Sequence, residues 1–192
     1  VRWTTRAGAE VRTGITITPW KAGVRPASPV LAYFADLVAR VYAVDIATGR
    51  VIWTTKIDDH PNATTTAQPV LHDGRLYAPV SSLEVVPAAD PTYPCCSFRG
   101  SVVALNPGTG TIEWKSSTIA QEPAEVGRNA RGTPILAPSG APIWNSPTID
   151  TRRGWFYNGT GENYSGPADG SSDAIMAFSL RDGRRQWTFQ AT

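Results

Sequence analysis

Long apolar runs are absent from this 192-residue sequence. Nowhere do the roughly eighteen consecutive apolar residues of a membrane helix occur. Residues 1–12 also lack the apolar core of a signal peptide. No membrane span is expected. Charge is sparse as well: 18 Lys and Arg against 16 Asp and Glu leave a net charge of +2, spread evenly along the chain. That is too little for a nucleic-acid or membrane-surface binder and points to a small molecule or another protein as the partner. Only two cysteines occur, adjacent at Cys95 and Cys96, so the CxxC spacing of zinc and thioredoxin-like sites is missing. Two free thiols or a vicinal disulfide remain open. A trans peptide holds neighbouring Cα atoms about 3.8 Å apart, below the usual disulfide range, so a bridge here calls for an oxidising compartment. Met176 is the sole methionine and valine stands at position 1, so a truncated or processed amino terminus is expected. Helical periodicity is scarce.

What is present is a core and a repeat. Hydrophobic residues make up 41% of the chain, enough to bury a sizeable interior. Tyr42-Ala43-Val44-Asp45, then Thr48-Gly49 and Trp53, recurs as Val103-Ala104-Leu105-Asn106, then Thr109-Gly110 and Trp114. A third, decayed copy is Met176-Ala177-Phe178-Ser179, then Asp182-Gly183 and Trp187. An alternating apolar run that reaches a polar turn ending in glycine, four residues before tryptophan, describes a tight β-hairpin. A second hairpin also repeats: Gln68-Pro69-Val70-Leu71, Gly74 and Tyr77 are echoed by Ser146-Pro147-Thr148-Ile149, Gly154 and Tyr157.

Two hairpins make a four-stranded unit, and the tryptophans at 53, 114 and 187 recur at the spacing of propeller blades with loop insertions. The expected fold is all-β: a propeller of four-stranded antiparallel blades. Trp3 would end a preceding blade (1–20), followed by blades at about 21–60, 61–120 and 121–192. All belong to a single partial domain. Three blades cannot close a ring, since each buries its faces only against its neighbours, so a larger ring of about eight blades is expected. An open solenoid or a sandwich of hairpins is the alternative. Leu83–Pro94, Thr118–Pro142 and Asn163–Asp173 are rich in Pro, Gly and Ser and read as loops on one face.

The pattern Ala-x-Asp-x-x-Thr-Gly-x-x-x-Trp resembles the repeat of dehydrogenases that use pyrroloquinoline quinone (PQQ), over essentially the whole chain. Within them, Glu10-Val11-Arg12-Thr13-Gly14, Asp58-Asp59-His60-Pro61, Tyr93 through Gly100 and Gly159 through Ser165 look like the polyvinyl-alcohol dehydrogenases. The resemblance implies PQQ and a calcium ion on the propeller axis. It makes Glu84, at the end of Ser81-Ser82-Leu83-Glu84, a calcium ligand, with Ser81 and Thr66 bonding the quinone carboxylates. Read without the resemblance, Glu84 is a solvated loop glutamate. Trp144, in Gly140-Ala141-Pro142-Ile143-Trp144, becomes the platform on which the quinone lies, a role suited to a rigid π surface; core filler is the other reading. Glu162 stands where the family's methanol enzymes carry a calcium-binding asparagine, and whether both glutamates coordinate is open. Arg12 is a candidate for a bidentate contact to the cofactor. Arg99 is either a second such contact or an ordinary surface arginine. Cys95-Cys96 either covers the quinone opposite Trp144 or has a separate structural role.

The reaction so implied is oxidation of an alcohol, most simply a secondary alcohol and in its boldest form a polymer such as polyvinyl alcohol. Electrons would pass to a cytochrome c in a periplasmic or extracellular setting. The catalytic base of the family scheme is expected beyond residue 192. The competing class is a non-catalytic propeller scaffold of the kind that helps assemble outer-membrane barrels. Glu84, Trp144, Glu162 and the cysteine pair discriminate, because a scaffold has no reason to hold them together.

Overall fold

A computed structural model describes residues 2–18 and 29–191; the opening of the expected 21–60 blade, residues 21–28, lies outside the described residues, as do Val1 and Thr192. The first sheet is β1 (Thr16–Ile17), β2 (Leu31–Ala35), β3 (Arg40–Asp45) and β4 (Val51–Lys56), in that spatial order. The second holds β5 (Ala63–Thr64), β6 (Val70–His72), β7 (Arg75–Ser82), β8 (Ser101–Leu105) and β9 (Ile112–Ser117), with β5 and β6 both paired to β7. A hairpin of β10 (Ala124–Arg128) and β11 (Pro134–Ala137) follows. The third sheet is β13 (Thr148–Asp150), β14 (Trp155–Gly159), β16 (Ala174–Ser179) and β17 (Arg185–Gln190). Beside it, β12 (Ser139–Gly140) pairs with β15 (Asn163–Ser165). All pairings within these sheets are antiparallel.

Three stretches read as loops therefore carry structure of their own. Residues 83–94 contain the 3₁₀ turn Pro87–Ala89, residues 118–142 the β10–β11 hairpin, and residues 163–173 strand β15. Their Pro and Gly content hid a local hairpin, in which Ala124 pairs with Ala137, and the short strand β15, whose Asn163 pairs with Gly140. The first sheet also begins at Thr16, inside the segment assigned to the preceding blade.

The repeat is one hairpin made three times. Ala43, Ala104 and Ala177 each face the tryptophan of their own copy, Trp53, Trp114 and Trp187, and each pairing is followed by a one-residue register shift. The turns close alike, Gly49 N–H bonding Asp45 O at 2.8 Å and Gly110 N–H bonding Asn106 O at 2.8 Å. Each glycine sits at positive φ, 74° for Gly49 and Gly110 and 69° for Gly183, a region that disfavours any residue with a Cβ.

What joins the sheets is the tryptophan of one copy seated on the glycine of the next. A Cβ on Gly49, Gly110 or Gly183 would lie 2.5, 2.5 or 2.6 Å from Cε3 of Trp3, Trp53 or Trp114. Trp3 Nε1 donates to Ile46 O at 2.8 Å and Trp53 Nε1 to Pro107 O at 2.9 Å. Two residues further on, the hydroxyls of Thr5, Thr55 and Ser116 bond the carbonyls of the same three glycines. Trp3 thus docks on the first sheet as Trp53 does on the second. At the third joint Leu180 O accepts instead from Tyr77 OH and Arg75, and Trp114 Nε1 has no protein partner. Between the second and third sheets lies a core of Tyr77, Val102, Ala104, Ile143, Phe156, Met176 and Phe178.

Candidate functional site

In a four-stranded antiparallel meander, the link between second and third strands and the link to the next sheet leave from the same edge. Residues 83–100, 118–147 and 160–173 are links of these kinds, so they share one face. On it, Arg12, Thr66 and Trp144 each stand four residues before the first strand of a meander, β1 at Thr16, β6 at Val70 and β13 at Thr148. They are equivalent positions in three successive units. The inner strands are laced together there: Gln68 Nε2 donates to Ile15 O at 3.1 Å and to Thr16 Oγ1 at 3.0 Å.

Arg12 is exposed and Thr66 half-buried. Trp144 keeps 38% of its surface exposed. Its neighbour Ile143 is fixed to β7 by an N–H bond to Val80 O at 3.2 Å and by the Ser81 hydroxyl on Ile143 O. Ser81 is fully buried and acts here on the loop that presents Trp144. The two stretches picked out around Trp144 and Glu162 meet: Gly161 N–H bonds Pro142 O at 2.8 Å and Ala141 N–H bonds Glu162 O at 2.9 Å. A Cβ on Gly161 would lie 3.3 Å from Trp144 Nε1, so glycine lets the link between β14 and β15 approach the indole closely.

Glu162 is exposed, whereas Glu84 is 0% exposed. Glu84 Oε1 accepts from Ser97 N–H at 2.9 Å and Tyr93 OH at 3.1 Å, and lies 3.4 Å from His60 Nε2; its Oε2 accepts from Phe98 N–H at 2.8 Å. Burial pushes this carboxyl up, but the hydrogen bonds from His60, Ser97 and Phe98 outweigh it and hold it below the ordinary glutamate range. A depressed folded value adds stability above the pKa of an unfolded glutamate, about 4.3. That stability is lost as pH falls through the lower folded value. The urea midpoint of the protein is expected to hold from pH 7 to about pH 5 and to fall below about pH 4, with a shallower fall in Glu84→Gln. Tyr164 donates to Ser82 O at 3.1 Å; burial, then the charges of Glu162 and Glu84, push its phenol far above its usual value.

Cys95 and Cys96 form a disulfide across a cis peptide, with Cα atoms 3.0 Å apart. The free-thiol alternative is thereby excluded, and the trans separation assumed from sequence does not apply. Cys96 is sealed, while half-buried Cys95 lines a cavity of about 220 Å³ with Tyr93, Ile135, Tyr164 and Ser165. Trp144 is not among that cavity's walls. Arg99 donates to the carbonyls of Ile119, Ala120 and Gln121 and pairs with Glu122. Its guanidinium is engaged by the link that leaves β9, which favours the structural reading over a cofactor contact.

For a flat, anionic cofactor the residues fit: an exposed indole and an exposed guanidinium stand at equivalent positions on one face. For calcium held by Glu84 and Glu162 they do not. Glu84 already receives three strong donors on two oxygens, and the described residues contain no cluster of three or more His, Cys, Asp or Glu able to hold a metal. Sequence reasoning missed His60 and Tyr93 as partners of Glu84, and Asn62 as the residue that bonds both of them, since nothing in their spacing joins them.

The family model PQQ_2, described as outer membrane protein assembly factor BamB, matches residues 1–134. A polyvinylalcohol dehydrogenase of a Pseudomonas species is 36% identical over 192 residues, all of this chain and 30% of that protein. One from a Sphingopyxis species is 37% identical over 190 residues, 99% of this chain and 29% of that protein. The chain thus spans less than a third of the length of these relatives. The quinohemoprotein alcohol dehydrogenase from Comamonas testosteroni, 20% identical, superposes with a TM-score of 0.62 over 84% of this chain and 26% of its own, a likeness of fold. With its repeat, its inter-sheet joints and the match over residues 1–134, this chain belongs to the PQQ-repeat family.

Proposed function

We propose that the protein carrying this sequence oxidises a secondary alcohol to a ketone with PQQ, and that polyvinyl alcohol is its polymeric substrate. The observation that carries this reading is the placing of Arg12, Thr66 and Trp144 at equivalent positions on one face of three successive sheets. Whole-chain similarity to two polyvinylalcohol dehydrogenases supports the substrate. Trp144 offers a rigid aromatic face, Arg12 a fork for a carboxylate, and Thr66 a hydroxyl. Ser81 holds Ile143 and so keeps Trp144 in position. When bound, PQQ supplies hydride acceptance from the carbinol carbon. No residue here is assigned as the base. Asp150 is tied to Arg153 and Tyr157, and Asp169 closes a turn on Ser171. Electrons pass on to a cytochrome c in the periplasm or outside the cell, in a ring of about eight blades.

The test is to add PQQ and calcium to the full-length protein and follow quinone absorbance and dye reduction with a secondary alcohol. Quinone binding with turnover supports the reading. A protein that takes up no quinone is a scaffold, and the proposal fails. Trp144→Ala is expected to weaken PQQ binding about tenfold or more while lowering the melting temperature by no more than about 2 °C, since more than a third of the residue's surface is exposed and it lies outside the buried core clusters. Equal losses of both would make Trp144 a packing residue.

A further inference from the structure

We propose that Glu84 is the internal clamp of the Cys95–Cys96 loop and not a cation ligand, a positioning role independent of the alcohol-oxidation reading. Glu84 is 0% exposed just past the end of β7, and its donors Tyr93, Ser97 and Phe98 all belong to the loop between β7 and β8, so its side chain turns into that loop. Three of its donors come from the six residues that bracket the disulfide. Tyr93 lies two before the pair, and Ser97 and Phe98 follow it directly. Two are backbone N–H groups, whose positive ends converge on the oxygens a cation would need. A divalent ion of the calcium type takes about six to eight oxygen ligands at roughly 2.3–2.6 Å. It would have to displace these donors and leave them unpaired in the interior, at the full desolvation cost.

The donors are themselves closed into a circuit. Asn62 N–H donates to His60 Nδ1 at 3.2 Å, which leaves the ring proton on Nε2, facing Ser97 Oγ at 3.1 Å and Glu84 Oε1 at 3.4 Å. Asn62 Nδ2 donates to Tyr93 OH at 3.2 Å, and Tyr93 OH donates to Glu84. Every member has a partner, the condition under which a buried polar network fixes one conformation. The other side of the loop is held separately: Leu136 N–H bonds Cys95 O at 2.7 Å and Cys96 N–H bonds Leu136 O at 3.3 Å. Pro91 O accepts from Asn129 Nδ2 and Thr133 Oγ1 of the same hairpin, each at 2.8 Å. Glu84 therefore sets how the disulfide sits between the sheet and the β10–β11 hairpin.

The experiment compares the full-length protein with Glu84→Gln and Tyr93→Phe by three readouts: the rate at which dithiothreitol reduces the native disulfide, amide hydrogen exchange, and calcium bound per chain. Glu84→Gln is expected to speed reduction about tenfold or more, the loss associated with hydrogen bonds to a charged group. It should raise exchange at Ser97 and Phe98 selectively, leaving the Leu136 amide protected, and should retain the wild-type calcium content. A merely global destabilisation would raise exchange at all of these amides together. Tyr93→Phe keeps the carboxylate and removes one donor, so it should speed reduction with calcium unchanged, and it serves if Glu84→Gln fails to fold. Loss of calcium from Glu84→Gln, or an unchanged reduction rate in Tyr93→Phe, overturns the proposal. Neither result depends on whether the protein oxidises alcohols.

Discussion

Phe156→Ala is expected to destabilise the protein by about 3–5 kcal/mol, read as a lower urea midpoint at unchanged slope. Phe156 on β14 is fully buried and is the hub of the aromatic cluster between the second and third sheets. Its ring stacks on Phe178 at 5.2 Å and on Trp114 at 6.1 Å and tilts against Tyr77 at 5.5 Å. Alanine removes the ring from all three at once, and the neighbours cannot collapse into the gap because β-sheet hydrogen bonds fix them on opposite sides. A cost below about 1 kcal/mol would mean that the two sheets are not packed through this residue.

Gly110→Ala is expected to cost nearly as much, by a different cause. At φ 74° a Cβ is strained, worth about 1–2 kcal/mol. It would also lie 2.5 Å from Trp53 Cε3, adding about 1–3 kcal/mol of overpacking. Gly74→Ala is the control: its φ is 71°, but a Cβ there meets nothing within 4 Å. Only the backbone strain should appear at Gly74. Equal losses at both glycines, measured by urea unfolding, would show that the Trp–Gly seat between sheets contributes nothing.

The sequence carried the hairpins because their cause is local. The apolar run Tyr42-Ala43-Val44 and its copies build strands, and the glycine at positive φ closes the turn, so the antiparallel hairpins and the all-β class followed from the repeat. It carried the disulfide only as one of two options, since adjacency cannot say whether the peptide turns cis. The strands β10, β11 and β15 were lost in Pro- and Gly-rich stretches, since segments such as the exposed Ala124–Arg128 and the short Asn163–Ser165 carry no apolar strand pattern.

Within the site, the sequence by itself determined that Trp144 stands outside the repeat spacing, whereas Gly161 came to lie beside it only through the tertiary structure. Tertiary structure alone decided the rest. It gave each repeat glycine to the tryptophan of the preceding copy, some fifty to seventy residues away, because adjacent sheets and not adjacent residues share that surface. It also turned Glu84 inward, since a carboxylate at the end of β7 goes where buried N–H groups need an acceptor, and those groups lie thirteen and fourteen residues along a loop whose path the sequence does not specify.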